Sequence, residues 1–259
     1  MFREKMVTPA IPERVYVLCK IVEKGPISSS ELKEKMEPAE LNADTSTAYF
    51  PDYRTAAEEL GLIITSDNMI SLAVDPSVIE SRQTMRKYVN GVLRKFSDGQ
   101  FYQVTHAYYM LGADALKTEK NLSNLGPVMS ELTGQKVDAM AMRAWRLSYL
   151  GLGYLQEMFM IPNADVFLQD VIELAGLEKG KKYSFGEFIN RISPYCGIIM
   201  DDNLKNRRLS YGMSNGLRTL HDAGILKMEH FLDQKDIWTL YPLKAHPIRD
   251  TVTNITIGG

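Results

Sequence analysis

Between Asn203 and Arg218 the chain carries four basic side chains, Lys205, Arg207, Arg208 and Arg218, and no acid. Tyr211, Ser214 and Asn215 fall in the same stretch. Arginine and asparagine can bond bidentately to guanine and adenine edges, while lysine, serine and tyrosine hold phosphate oxygens. Leu209, Met213, Leu217 and Leu220 recur at helical spacing and predict the buried stripe of a helix from about Leu209 to Asp222. Arg208, Tyr211, Asn215 and Arg218 then fall on a different face, with Ser214 beside them. A helix of this kind suits the major groove of duplex DNA. Arg208, Tyr211, Ser214, Asn215 and Arg218 are the predicted groove contacts, Lys205 and Arg207 the predicted phosphate contacts, and Lys235, in an expected hairpin turn, a further one. A solvated helix face has the same residue types, so the expectation depends on these side chains standing free.

Other charged stretches divide the chain. Arg82, Arg86, Lys87, Arg94 and Lys95 follow the single acid Glu80 on a predicted helix, and form a secondary basic patch suited to tracking phosphates. From Ser28 to Leu60 the balance reverses, with eight acids against Lys33, Lys35 and Arg54. Phosphates are repelled there, which predicts a surface for a protein partner or for self-association. The stretch Met140, Met142, Ala144, Trp145, Leu147, Tyr149 and Leu150 is apolar around most of a helix and predicts burial between modules or against a partner.

Enzyme signatures are thin. The chain has no Gly-Lys-Ser/Thr phosphate loop, no His-Glu-x-x-His and no Cys-x-x-Cys, and His106, His221, His230 and His246 lack ligand spacing. Asp201-Asp202-Asn203 could offer oxygens to a cation, but Asp and Asn are expected in a turn for backbone reasons. The sequence therefore predicts no catalytic residue, no metal and no cofactor. Cys19 and Cys196, each among apolar neighbours, read as small hydrophobes in a reducing cytoplasm. No stretch approaches the roughly 20 apolar residues of a membrane span. A net charge of −2 gives no general attraction to nucleic acid, so local patches decide.

The elements that must position these residues repeat one pattern: a helix closes on Gly, and an apolar run suited to a strand comes next. Glu58-Glu59-Leu60-Gly61-Leu62-Ile63-Ile64, Tyr149-Leu150-Gly151-Leu152-Gly153-Tyr154-Leu155 and His221-Asp222-Ala223-Gly224-Ile225-Leu226 are the three copies. Glycine can adopt the left-handed conformation that ends a helix. The pattern divides the chain into three modules, at 11–76, 77–162 and 163–259. In the first, Pro12 opens a helix, Ser28 to Glu31 reads as a capping box, and Tyr49 to Leu60 forms a third helix. Ile63-Ile64 then pairs with Met69 to Leu72. The middle module has predicted helices over Ser81–Phe96, Phe101–Leu111, Ser123–Leu132 (broken by Gly126-Pro127) and Asp138–Leu150, then a hairpin closed by Pro162. In the last, Val166–Leu174 is a helix and Ser184 to Glu187 caps another. Pro194 to Asn206 reads as an insertion. Ile225 to Glu229 is expected to pair with Ile237 to Leu240, leaving the tail after Pro247 as a short strand or loose end.

These capping boxes and Gly-ended third helices with hairpins behind them resemble the winged helix-turn-helix superfamily over about Ile11–Val74 and Val166–Leu243, with a degenerate middle module. The resemblance implies a mainly α-helical fold with small β-hairpins, built of tandem winged-helix modules. It also implies a transcriptional regulator or an accessory subunit in DNA transactions, including those of bacterial defence islands, acting on double-stranded DNA. The alternative it carries is a scaffold like the kleisin-binding partners of SMC proteins, which use the same fold chiefly to hold proteins. The acidic first module and apolar middle helix favour the scaffold, and the basic last helix favours DNA.

Overall fold

The computed structural model describes residues 1–3, 6–38, 49–116, 125–137, 148–156, 159–200 and 204–258. Among these, the chain is mainly helical with small antiparallel sheets. Among the described residues, no helix is long and apolar enough to cross a membrane.

The first third begins with α1 (Pro12–Val22), whose Val15, Leu18, Cys19 and Val22 face inward. Strand β1 (Ile27–Ser28) leads into α2 (Ser29–Met36), where the Ser28 hydroxyl accepts the Glu31 N–H and satisfies an end donor. Helix α3 (Phe50–Glu59) buries Phe50, Tyr53, Ala56 and Ala57 and gives way at Gly61 to β2 (Ile63–Ser66) and β3 (Met69–Leu72). Asp67 and Asn68 connect those strands with φ of 50° and 62°, the turn whose twist suits a tight hairpin. The sheet order is β1-β3-β2, all antiparallel.

A short 3-10 turn, Pro76–Ile79, leads to α4 (Arg82–Val92), capped reciprocally by Ser81 and Thr84. Then come α5 (Gln100–Met110), α6 (Leu125–Thr133) and the hairpin of β4 (Gly153–Gln156) with β5 (Phe159–Pro162). Gly126 and Pro127 lie at the N-terminal end of the described part of α6, and the Ser123 end of the expected helix lies outside the described residues. Most of the helix expected over Asp138–Leu150 lies outside the described residues.

The last third repeats the order of the first. It has α7 (Asp165–Leu174), β6 (Lys182–Ser184), α8 (Phe185–Cys196), α9 (Tyr211–Asp222) and β7 (Leu226–Glu229). Helix α8 runs through Pro194, so the expected insertion begins later. Pro194 cannot donate to the Asn190 carbonyl, and the Ser193 hydroxyl donates to it instead.

The C-terminal hairpin differs from expectation. β7 pairs with β10 (Asn254–Ile257), not with Ile237 to Leu240, and β10 is the central strand in the order β6-β10-β7. Trp238–Thr239 forms β8, paired with β9 (Thr251–Val252). The tail is thus the middle of a sheet. β10 buries Ile255 and Ile257 beside β7, while Trp238 and Leu240 of the expected strand are buried elsewhere, Trp238 against Phe185.

One continuous apolar cluster runs from Phe2 to Ile257. Phe2, ahead of the first expected module, packs against Phe96 and Phe101 with ring centroids 5.4 and 5.3 Å away. The three thirds share a core rather than hanging on linkers.

Candidate nucleic-acid interface

Helix α9 would present the predicted groove contacts. Ser210 caps it through the Met213 N–H, and Met213, Leu217 and Leu220 are buried as their spacing requires. The opposite face is not free. Gly212 and Gly216, one turn apart, let the helix press on the corner where β5 meets α7, and the Ala164 N–H donates to the Gly212 carbonyl at 3.0 Å. A Cβ on Gly216 would stand 2.7 Å from the backbone of Ala164 and Asp165. This small-residue pair was the missed signal in the sequence.

Two of the predicted contacts are buried, which corrects their placement on a solvent face. Arg218 is 2% exposed; it donates to the Tyr241 carbonyl at 2.8 Å and to Asp250 Oδ1 at 3.0 Å. Burial pushes its pKa down and Asp250 opposes that shift. Ser214 is fully buried, and its hydroxyl accepts the Tyr241 N–H. Of the half-buried pair, Asn215 donates to the Pro162 carbonyl at 3.3 Å, and Tyr211 packs edge-on against Tyr241. The cause lies in the chain between β7 and β10, which lays Tyr241 along α9 and brings Asp250 to its arginine. That segment is also stitched to the approach to α9: the Leu209 N–H donates to Thr239, and the Thr239 N–H to Arg207.

The remaining predicted contacts lie at the rim. Arg207, with φ of 49°, pairs with Asp236 at 3.3 Å and donates to the Lys235 carbonyl. Arg208 and Lys235 are exposed, with no ion pair among the described residues. Lys205 sits in a 3-10 turn, Leu204–Asn206, and its side chain lies outside the described part, as does Asp201-Asp202-Asn203.

The secondary patch is largely engaged in packing. Arg86 makes a two-pronged bond to Asp170, 2.8 and 3.0 Å, which raises its pKa, and Asn90 donates to the same carboxylate at 2.8 Å. These bonds join α4 to α7. Lys87 pairs with Glu173 on the same seam. Arg82 lies over the Tyr16 ring, and Arg94 reaches the carboxyl end of α8. Lys95 is exposed.

The hairpin segments of the first and middle thirds have another chemistry. Residues 63–72 and 153–162 contain one acid each and no base. Ile64, Met69, Tyr154 and Leu155 are exposed on them. Among the described residues, no three His, Cys, Asp or Glu side chains are placed to share a metal ion. No protein-family model, curated protein or solved structure matches this chain, so its function is read from its own residues.

Proposed function

We propose that the chain is a non-catalytic scaffold of tandem winged-helix units that binds a protein partner, in preference to a regulator that reads DNA through α9. The observation that carries this reading is that the polar face of α9 is engaged internally, with Arg218 on Asp250 and Ser214 on Tyr241. A recognition helix must bring such groups to base edges. The repeated order of helices and the central position of the last strand in both three-stranded sheets support the winged-helix assignment. The cation-free hairpins with exposed Ile64 and Leu155 suit a protein surface better than a phosphate backbone.

Among the described residues, the exposed Arg208, Lys235 and Lys95 support the DNA reading. Labelled duplex titrated against the full chain over a range of salt separates the two readings. The scaffold reading expects weak binding that Arg208→Ala with Lys235→Ala leaves nearly unchanged. It also expects Ile64→Asp and Leu155→Asp to abolish capture of a stoichiometric partner from the native host. Tight duplex binding that falls about tenfold and loses salt slope in the double variant would restore the DNA reading.

A further inference from the structure

The segment 241–250 lies across α9 as a loop with a closed base. Trp238 pairs with Val252 and Thr239 with Thr251, and the Leu240 N–H donates to the Asp250 carbonyl at 2.8 Å. Trp238, Leu240 and Val252 are buried at that base. We infer that this loop is a displaceable cover, and that the stripe of α9 beneath it is a cryptic site for duplex DNA. The inference rests on the scaffold reading, in which α9 is closed in the resting chain.

What the loop covers comes first. Tyr211, Ser214, Arg218 and Asp222 follow one another at three- and four-residue spacing and make one stripe of α9. The loop has a partner for each. The Tyr241 ring packs edge-on against Tyr211, its N–H donates to Ser214, and its carbonyl and Asp250 accept from Arg218. His246 Nδ1 accepts the Ile248 N–H, so Nε2 carries the proton and donates to Asp222 at 2.9 Å. Tyr211, Ser214 and Arg218 are predicted groove contacts, and one segment hides all three.

The second point is how little the cover costs to lift. No residue from 241 to 250 is fully buried, and only Tyr241, His246 and Ile248 are half-buried. Opening therefore returns little apolar surface to water, and segments of that kind open locally while the fold persists. The central ion pair adds little margin. Arg218 is buried, its Nε has no hydrogen-bond partner among the described residues, and the Asp250 carboxylate is half exposed. Desolvation offsets much of the attraction in such a pair. Nor does a wing need the loop, since Asp67 and Asn68 alone join β2 to β3.

Duplex DNA fits the uncovered stripe better than a competing peptide does. A peptide in solution must displace a loop whose tether gives it a high effective concentration. A duplex brings counterion release, a driving force the loop lacks, and offers base-edge and phosphate acceptors to Arg218 and Ser214.

Two measurements test the inference. In amide exchange of the full chain, the Tyr241 N–H should exchange much faster than that of Ile255 in β10, through local opening. Equal rates, with both amides opening only as the whole chain unfolds, overturn the cover. Labelled duplex is then titrated against the parent, Asp250→Ala, Tyr241→Ala and Asp233→Ala, with melting temperatures as the check on folding. Asp250 and Tyr241 lie outside the buried core, so neither change empties it. Asp233 is an exposed acid of the same connection, and Asp233→Ala makes the charge change of Asp250→Ala with the cover in place. Parent and Asp233→Ala should bind weakly, Asp250→Ala and Tyr241→Ala about tenfold or more tightly, and adding Arg218→Ala should cancel the gain. No gain in either variant, or a gain that survives Arg218→Ala, overturns the proposal and leaves the scaffold reading standing. Tight binding by the parent overturns both.

Discussion

Helices α3 and α9 end alike and are used differently. Each closes on a glycine in the left-handed region, Gly61 at 69° and Gly224 at 71°. The same backbone bonds finish both: Gly61 to Glu58 and Leu62 to Ala57 in one, Gly224 to His221 and Ile225 to Leu220 in the other. Counted back from the glycine, Thr55 and Arg218 occupy the same position, and so do Pro51 and Ser214. Thr55 and Pro51 are exposed, whereas Arg218 and Ser214 are buried. The difference comes from the chain beyond the first strand of each wing. β2 turns back after Asp67 and Asn68, but the chain leaving β7 travels from Glu229 to Asn254 before it pairs, covering α9 on the way. One local pattern therefore yields an open helix and a closed one, and the pattern alone does not say which face is available.

The largest effect should come from the bond that seats the closed half on the rest. Asp170→Ala leaves Arg86 and Asn90 without their shared acceptor and should cost about 3–5 kcal/mol, the usual penalty for breaking a buried pair. Glu173→Ala, on the exposed part of the same seam, should cost about 0–1 kcal/mol. Urea unfolding of both variants measures the contrast, and equal losses would mean that the seam is not where the halves are held.

An intermediate effect should separate α9 from α3 directly. Alanine normally stabilises a helix interior by about 1 kcal/mol over glycine. At Gly216 the new methyl meets backbone at 2.7 Å, so Gly216→Ala should instead destabilise by about 1–3 kcal/mol. Thr55→Ala on α3 should stay within about 0.5 kcal/mol. A stabilised Gly216→Ala in thermal unfolding would show that α9 is not pressed on the corner between β5 and α7.

The smallest effect lies in the C-terminal sheet. Hydrogen bonds from Lys182 and Lys227 hold the Glu229 carboxyl below its usual value. A lowered folded pKa contributes stability that is complete above the ordinary carboxylate value, about 4.3, and is lost as pH falls through the folded one. Glu229→Gln should therefore reduce stability slightly at neutral pH and remove that part of the acid-side decline, seen in unfolding curves at neutral and acid pH.

Much of the local architecture was legible. The Ser28 and Ser184 caps, the apolar stripe of α1, the turn at Asp67-Asn68 and the helix-ending glycines lie where spacing and turn chemistry put them. Each depends on neighbours within a few residues. The candidate site was legible only as composition. That Arg207, Arg208, Tyr211, Ser214, Asn215 and Arg218 share one helix and its approach is written in the chain, but their availability depends on Asp236, Asp250, Tyr241 and Pro162, none of which any short-range rule connects to them.

The amino-acid order by itself determined most of the described helices in the first and last thirds, the Ser28 and Ser184 caps and the glycine stops, because side-chain periodicity and backbone freedom act over a few bonds. Only the tertiary structure decided that β10 is the central strand, that Asp170 clamps Arg86 and that Arg218 faces a carboxylate rather than solvent. Those outcomes depend on which distant segment buries the most apolar surface against a given face. That competition involves the whole chain, and a charged side chain is left to solvent or enclosed according to its result.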